Sequence, residues 1–178
     1  RSSGQRQRTL GAGAHAIPGP VPAAYGEVGQ SLAPHGLALR NLAALPHISV
    51  AGAVATATHG SGTDNGNLAT SVAGFEYVNA AGEIISVDRS TPDFDGMVVS
   101  LGALGIVTSV SLGVVFDYQV EQQVNGKLPL NVMGDQLAMV LGAAYSVSVF
   151  TTFAGPVDGQ VGQVWIKRRT DGSDRSMN

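Results

Sequence analysis

Two stretches of this chain combine residue types that can do chemistry. One is "HISVAGAVATATHGSG", His47 to Gly62, and the other is "SLGALGIVTSV", Ser100 to Val110. Apart from the two histidines of the first, neither carries an ionisable side chain. Both consist of small residues and hydroxyls that leave backbone N–H groups unobstructed. That pattern suits a large planar or diphosphate-bearing ligand held by backbone amides and Ser/Thr hydroxyls rather than by charge. The competing reading is two tight turns in a Gly/Ala-rich core. Other chemistries have less support. There is no G-x-x-x-x-G-K-[ST] phosphate loop, and Gly11 and Gly13 lack the third glycine of a dinucleotide fingerprint. No G-x-S-x-G elbow supports a serine hydrolase. Four histidines without cysteine or an H-x-x-x-H pair give no reason to expect a metal site.

The elements that must position these stretches follow from pattern and punctuation. Residues 1–8 read as a polar, disordered end, and "RTLGAGA" as a short strand. The prolines of "HAIPGPVPA" predict a loop or extended segment. Tyr25, Val28 and Leu32 stand at helical spacing, which predicts a helix over about Ala23 to Ala33 that stops at Pro34, with Gly36 in a left-handed turn. A hairpin is expected from Val72–Asn79 and Ile84–Asp88, turning around "AAGE". A helix near Phe94–Leu101, capped by Thr91 or Asp93, leads to a β-branched strand from Ile106 to Phe116. Beyond Tyr118 the texture changes to a second strand–helix–strand layer, with a helix near Val132–Tyr145.

Composition narrows the class. The chain has 178 residues, 44% hydrophobic and only 13% charged, with 24 glycines. Against a usual charged share of about 25%, this describes a packed fold with close backbone approaches rather than disorder. A net charge of −3 supplies no basic face for nucleic acid. No apolar run reaches the roughly 18 residues of a membrane span, and the opening residues lack a secretory signal's apolar core. Absent cysteine excludes disulfides and thiolate chemistry and fits a cytoplasmic protein. A monomer is expected. The termini read as those of a fragment of a longer protein.

"LPHISVAGAVATATHGSG" followed by "SLGALGIVTSVSL" resembles the FAD-linked oxidases of the vanillyl-alcohol-oxidase superfamily. The branch it is most similar to is that of the alditol (xylitol) oxidases and their aldonolactone-oxidase relatives. "LATSVAGFEYVNAAGEIISV" and "QVWIKRRTD" fit the same pattern, so the resemblance runs from about Thr9 to Asp171. It implies an α+β, PCMH-type FAD-binding domain, incomplete at its N-terminal side, over residues 9–118. Residues 119–178 would begin an α+β cap or substrate domain. The first stretch would run past the FAD diphosphate toward the isoalloxazine, which assigns cofactor contacts to Ser49, Gly52, Ala53, Thr56, Thr58 and His59. The second would meet the adenosine portion through Gly102, Gly105 and Ile106. The implied reaction oxidises a polyol such as xylitol or sorbitol with O₂, giving an aldose and H₂O₂. An aldonolactone of the D-arabinonolactone type is the alternative substrate. A non-catalytic flavin-binding module and a ligand-free structural domain are the rivals from other classes.

The sequence departs from that family in three places. Alditol oxidases link the flavin to a histidine in a G-S-G-H-S loop well upstream of I-S-V-A-G. His15 in "GAGAHA" looks similar but lies too close to Ile48, and we read it as a look-alike. Ala44 stands where sugar-alcohol oxidases carry a serine near flavin and substrate. The family's cap-domain Glu, Arg and Lys have no counterpart here, so the catalytic residues are unassigned. Elsewhere, His35 is expected to end a helix and His47 to orient its loop by hydrogen bonding. Asp64 and Asn65 are expected as turn residues, Trp165 as a cap-domain core aromatic, and Lys167, Arg168 and Arg169 at a solvated strand end.

Overall fold

A computed structural model of the chain describes residues 16–20, 23–151 and 160–170; the proposed strand at "RTLGAGA" and His15 lie outside them. The chain folds as an α+β protein with two main sheets, each over its own apolar core. Helix α1 (Tyr25–Leu32) forms where sequence spacing predicts it, with both end residues buried. The Glu27 carboxylate accepts from the Ala24 N–H at 2.8 Å, satisfying one donor the helix start leaves free. A 3₁₀ turn, Ala33–His35, follows and closes on Gly36 at φ +66°. His35 sits in that exposed turn.

The first main sheet has the order β1-β5-β3-β4, antiparallel throughout. The predicted hairpin forms as β3 (Val72–Val78) and β4 (Ile84–Asp88). Asn79 sets its turn, its side-chain oxygen accepting from the N–H groups of Ala81 and Glu83 at 2.9 and 3.0 Å. Strand β5 (Ile106–Gly113) pairs with β3 on one side and with β1 (Ala16–Pro20) on the other. The proline-rich segment is therefore a sheet strand. The sheet tolerates it because β1 lies at an edge, where missing N–H donors leave no ladder gap. The long strand expected to reach Phe116 ends at Gly113. Its continuation, β6 (Val115–Phe116), switches to a two-stranded sheet with β2 (Leu37–Ala38).

Between these strands lie α2 (Val50–Ala55), a 3₁₀ turn at Leu68–Ser71 and α3 (Phe94–Val98). Asp93 precedes α3 but makes no side-chain cap bond, and Thr91 instead receives the Asp88 N–H. One core joins them, with Leu32, Leu68 and Val72 fully buried and Phe75 packed on Tyr77 and Phe94 at centroid distances of 5.6 and 6.0 Å.

The second main sheet, order β7-β9-β8, comprises β7 (Val120–Pro129), β8 (Ser146–Phe150) and β9 (Gln160–Arg169). The helix expected over Val132–Tyr145 is two short ones, α4 (Leu130–Asp135) and α5 (Leu137–Leu141), broken at Gln136. Val147 and Val164 centre its core. Trp165 is only half-buried and lies against Phe150 at 4.8 Å, at the margin of that core. The basic trio lies within β9, and Arg169 stacks over the Tyr118 ring at 4.0 Å. The Tyr118 and Tyr145 hydroxyls both reach the Arg40 carbonyl, at 2.8 and 2.9 Å, and so tie the second sheet to the loop after β2. Burial, with the neighbouring Tyr118 hydroxyl, pushes the Tyr145 phenol well above its usual pKa.

Tyr25 is buried with no hydrogen-bond partner for its hydroxyl. Burial pushes that phenol up to about 12 from 10.0. Because the folded value is raised, this stabilisation is full below pH 10 and is lost as pH rises from 10 toward about 12. Tyr25→Phe removes an unsatisfied buried group, so it should leave stability unchanged or higher at neutral pH and flatten the alkaline loss. Urea midpoints across pH 7–12 check both, against wild type.

Candidate functional site

The first chemistry-bearing stretch folds as a cap, a short helix and a returning loop. Ser49 is the N-cap of α2, its hydroxyl accepting from the Gly52 N–H at 3.3 Å. The Val50 N–H is also occupied, by the Ala23 carbonyl at 2.9 Å. Gly52 is needed here because a Cβ would stand 2.7 Å from the Ser49 hydroxyl. Ala53 and Val54 turn into the core, while Ser49, Gly52 and Thr56 are exposed. The helix ends in a knot of hydroxyls. Thr56 donates to the Gly52 carbonyl at 3.0 Å and lies 3.1 Å from the Thr58 hydroxyl.

Beyond α2 the backbone is strained and open. Ala57 adopts φ +51°, a left-handed conformation that costs a non-glycine residue about 1 kcal/mol or more. His59 is exposed, its ring reaching only the Gly60 carbonyl at 3.4 Å. The backbone N–H groups of His59 and Gly60 donate to none of the described residues, and a Cβ at Gly60 would meet nothing. Unlike the Val50 and Gly52 amides at the start of α2, these two stand unpaired among the described residues.

The second stretch is brought to the first by one backbone bond, from the Leu101 N–H to the Ala55 carbonyl at 3.1 Å. Leu101 shares the strain, with φ +52°, and Gly102 follows at φ +80° with open space around it. Gly105, at φ +142°, backs onto the Val78 carbonyl so closely that any side chain would collide. Leu101 and Ile106 project into solvent at 76% and 75% exposure. The structure therefore gathers the C-terminal side of α2 and the Gly102–Ile106 turn into one exposed area of small residues. Ser49, at the other end of α2, is further along the same stretch.

His47 is exposed and hydrogen-bonds to none of the described residues, contrary to the orienting role expected for it. Ala44 is exposed near it. A cleft of about 520 Å³ lies elsewhere, lined by Arg40, Asn65, Thr70 and Arg89 among others. Its lining includes none of the two stretches' assigned contacts, so volume does not mark the site. Among the described residues no cluster of His, Asp or Glu could hold a metal.

Comparison with known proteins shows what these features resemble. Residues 22–88 match the family described as "FAD binding domain". The fold superposes on a cholesterol oxidase from Brevibacterium sterolicum with a TM-score of 0.74, at 16% identity, over 92% of this chain and 33% of that one. The chain carries a PCMH-type FAD-binding fold. It is 47% identical over 147 residues to an alditol oxidase from Streptomyces sp., covering 83% of this chain. It is 35% identical over 101 residues to a D-arabinono-1,4-lactone oxidase from Candida albicans, covering 54% of this chain. The chain spans only 34% and 18% of those two relatives. These matches agree with the family resemblance of the sequence, and FAD is the cofactor they imply.

The residues present fit that group. A flavin diphosphate needs several N–H and O–H donors and close backbone approach. The unpaired amides of His59 and Gly60 and the open flank of Gly102 provide both, while the Thr56 proton is committed to the Gly52 carbonyl. The sequence missed two features: the cap bond that already occupies the Ser49 hydroxyl, and Asn65, whose side chain does more than turn the chain.

Two substitutions separate folding from binding at this candidate site. Gly105→Ala should destabilise the chain by at least about 1–3 kcal/mol, through collision and a disfavoured φ, and appear as a lowered melting temperature. Ser49→Asp keeps a good N-cap, so stability should hold, while its carboxylate repels a diphosphate. Its FAD affinity should fall by about tenfold or more at low salt, measured by flavin fluorescence quenching.

Proposed function

We propose that this chain is the FAD-holding part of an oxidase that acts on the CH–OH group of a polyol, with an alditol such as xylitol or sorbitol as substrate. The observation that carries the reading is the Leu101–Ala55 bond, which joins two amide-rich stretches into one exposed area without a charged residue in either. The relatives, an alditol oxidase and a D-arabinono-1,4-lactone oxidase, suggest the substrate class.

Bound FAD supplies the hydride acceptor, and O₂ would regenerate it with release of H₂O₂. The chain's own residues bind and orient. The His59 and Gly60 amides would take the diphosphate side, and the Thr56 and Thr58 hydroxyls would join them by exchanging their present bonds for ones to the ligand. Gly102, Gly105 and Ile106 would meet the adenosine side through backbone groups and the exposed Ile106 side chain. The strain at Ala57 and Leu101 keeps both turns in the shape that leaves these donors outward. Ala53 contributes backbone only, because its methyl is buried.

Residues 9–118 form the cofactor-holding unit in this reading, and residues 119–178 open the substrate-side unit. Ala44 bears on the substrate. Lacking a hydroxyl, it removes a hydrogen bond that the serine of sugar-alcohol oxidases would supply. An aldonolactone, with a ring oxygen and carbonyl in place of an open polyol chain, depends less on such a contact and is the second reading.

Three measurements test this. The chain should take up FAD and turn yellow, and a chain that leaves flavin fluorescence unchanged would sink the proposal. Peroxide should form on adding xylitol or sorbitol; flavin uptake without turnover of any polyol or lactone would favour a non-catalytic binding module. Ala44→Ser should lower the polyol KM by about fivefold, the worth of one added hydrogen bond, and leave the lactone KM unchanged.

A further inference from the structure

The loop from His59 to Gly66 carries the unpaired His59 and Gly60 amides. Within the first unit it is fixed by the Asn65 N–H to the Gly62 carbonyl at 3.1 Å and the Leu68 N–H to the Thr58 carbonyl at 2.9 Å. The Asn41 side-chain amide also donates to the Gly66 carbonyl at 2.9 Å, and further anchorage comes from the second sheet. The Ser61 hydroxyl lies 2.6 Å from that of Ser146 and 2.7 Å from that of Ser148, across 85 and 87 residues of sequence. Asn65 donates from its side-chain amide to the Ser61 carbonyl at 3.2 Å and the Tyr145 carbonyl at 3.0 Å. Gly62, at φ +113°, leaves no room for a side chain between Asn65 and that Tyr145 carbonyl.

Strand alternation explains why β8 can do this. Ser146 and Ser148 share one face, and Val147 and Val149 turn to the other, into the second core. Ser146 is 6% exposed and is the buried polar residue among those described. A buried hydroxyl without a partner is costly, so the protein gains by keeping Ser61 in place. Each serine has one proton and can accept twice, so the three hydroxyls together satisfy both short contacts. Alanine or valine at any of the three removes at least one of them.

We infer that Ser61 is a positioning residue: through Ser146 and Ser148 it fixes the His59–Gly60 amides against the second sheet, and so couples the substrate-side unit to the diphosphate-holding loop. This rests on the flavin reading above. The side chain of Ser61 acts through the backbone next to it and needs no contact with the cofactor.

The test uses the full chain as Ser61→Ala, Ser146→Ala, the double variant, and Val149→Ala, which thins the second core without touching the junction. Hydrogen exchange at the Asn65 and Leu68 amides, which close the loop onto the Gly62 and Thr58 carbonyls, is measured without FAD, and FAD affinity and the visible flavin spectrum with it. Ser61→Ala should speed exchange and weaken FAD by about fivefold each, the worth of one hydrogen bond, and shift the flavin spectrum. Ser146→Ala should match it, and the double variant should add nothing further. Val149→Ala should lower the melting temperature and leave the other readouts unchanged. Wild-type exchange and affinity in Ser61→Ala, or the same losses in Val149→Ala, would overturn the inference. A wild-type chain that ignores FAD would instead overturn the flavin reading, while the exchange data still judge Ser61.

Discussion

Strand β5 is hydrogen-bonded on both edges, and the rest of the molecule depends on that. Its pairing with β3 seats the Gly102–Gly105 turn at one end of the sheet. Its pairing with β1 gathers the proline-rich segment. Its far end passes into β6, which leaves the sheet to pair with β2 and delivers the chain to Tyr118. A single strand therefore fixes the Gly102–Gly105 turn at its start and the crossing to the second sheet at its end. Antiparallel ladders specify register wherever one face is buried, and Val110 and Leu112 bury that face here.

In the proposed reading, the protein solves a donor problem around this strand. A site for a diphosphate without cationic side chains must keep backbone amides unpaired, although a folded chain tends to pair them all. The chain keeps them free by local strain rather than by disorder. Ala57 and Leu101 are two of the three described non-glycine residues with positive φ, and each stands at one of the two amide-rich stretches. Such conformations persist only where surrounding structure over-determines them. Here the supports are the Thr58–Ala53 and Leu101–Ala55 backbone bonds, at 2.9 and 3.1 Å.

Much of this was legible in the sequence, for physical reasons that differ between elements. Helix α1 and the β3–β4 hairpin were readable because their signals are local: Tyr25 and Leu32 on one face, Asn79 and Gly82 in the turn. The exposed positions of Thr56, His59, Gly102 and Ile106 were foreshadowed by their small or uncharged neighbours. Strand β1 was read as merely extended because prolines disqualify a central strand, and nothing local reveals an edge. The helix after β7 was drawn too long because its apolar spacing continues through Gln136, where the backbone breaks. The Ser61 junction was invisible because its partners lie 85 and 87 residues away, and serine spacing on β8 means little until the sheets face each other.

The edge position of β1 also bears on solubility. Pro18 and Pro20 occupy alternate places along it and offer no N–H, so that edge presents fewer donors to a neighbouring molecule. The opposite edge, β4, has no such protection, and Ile84 stands exposed on it. The sheet is thus blunted on one side and templating on the other. Any strand that another protein, or another copy of this one, adds to it should enter along β4.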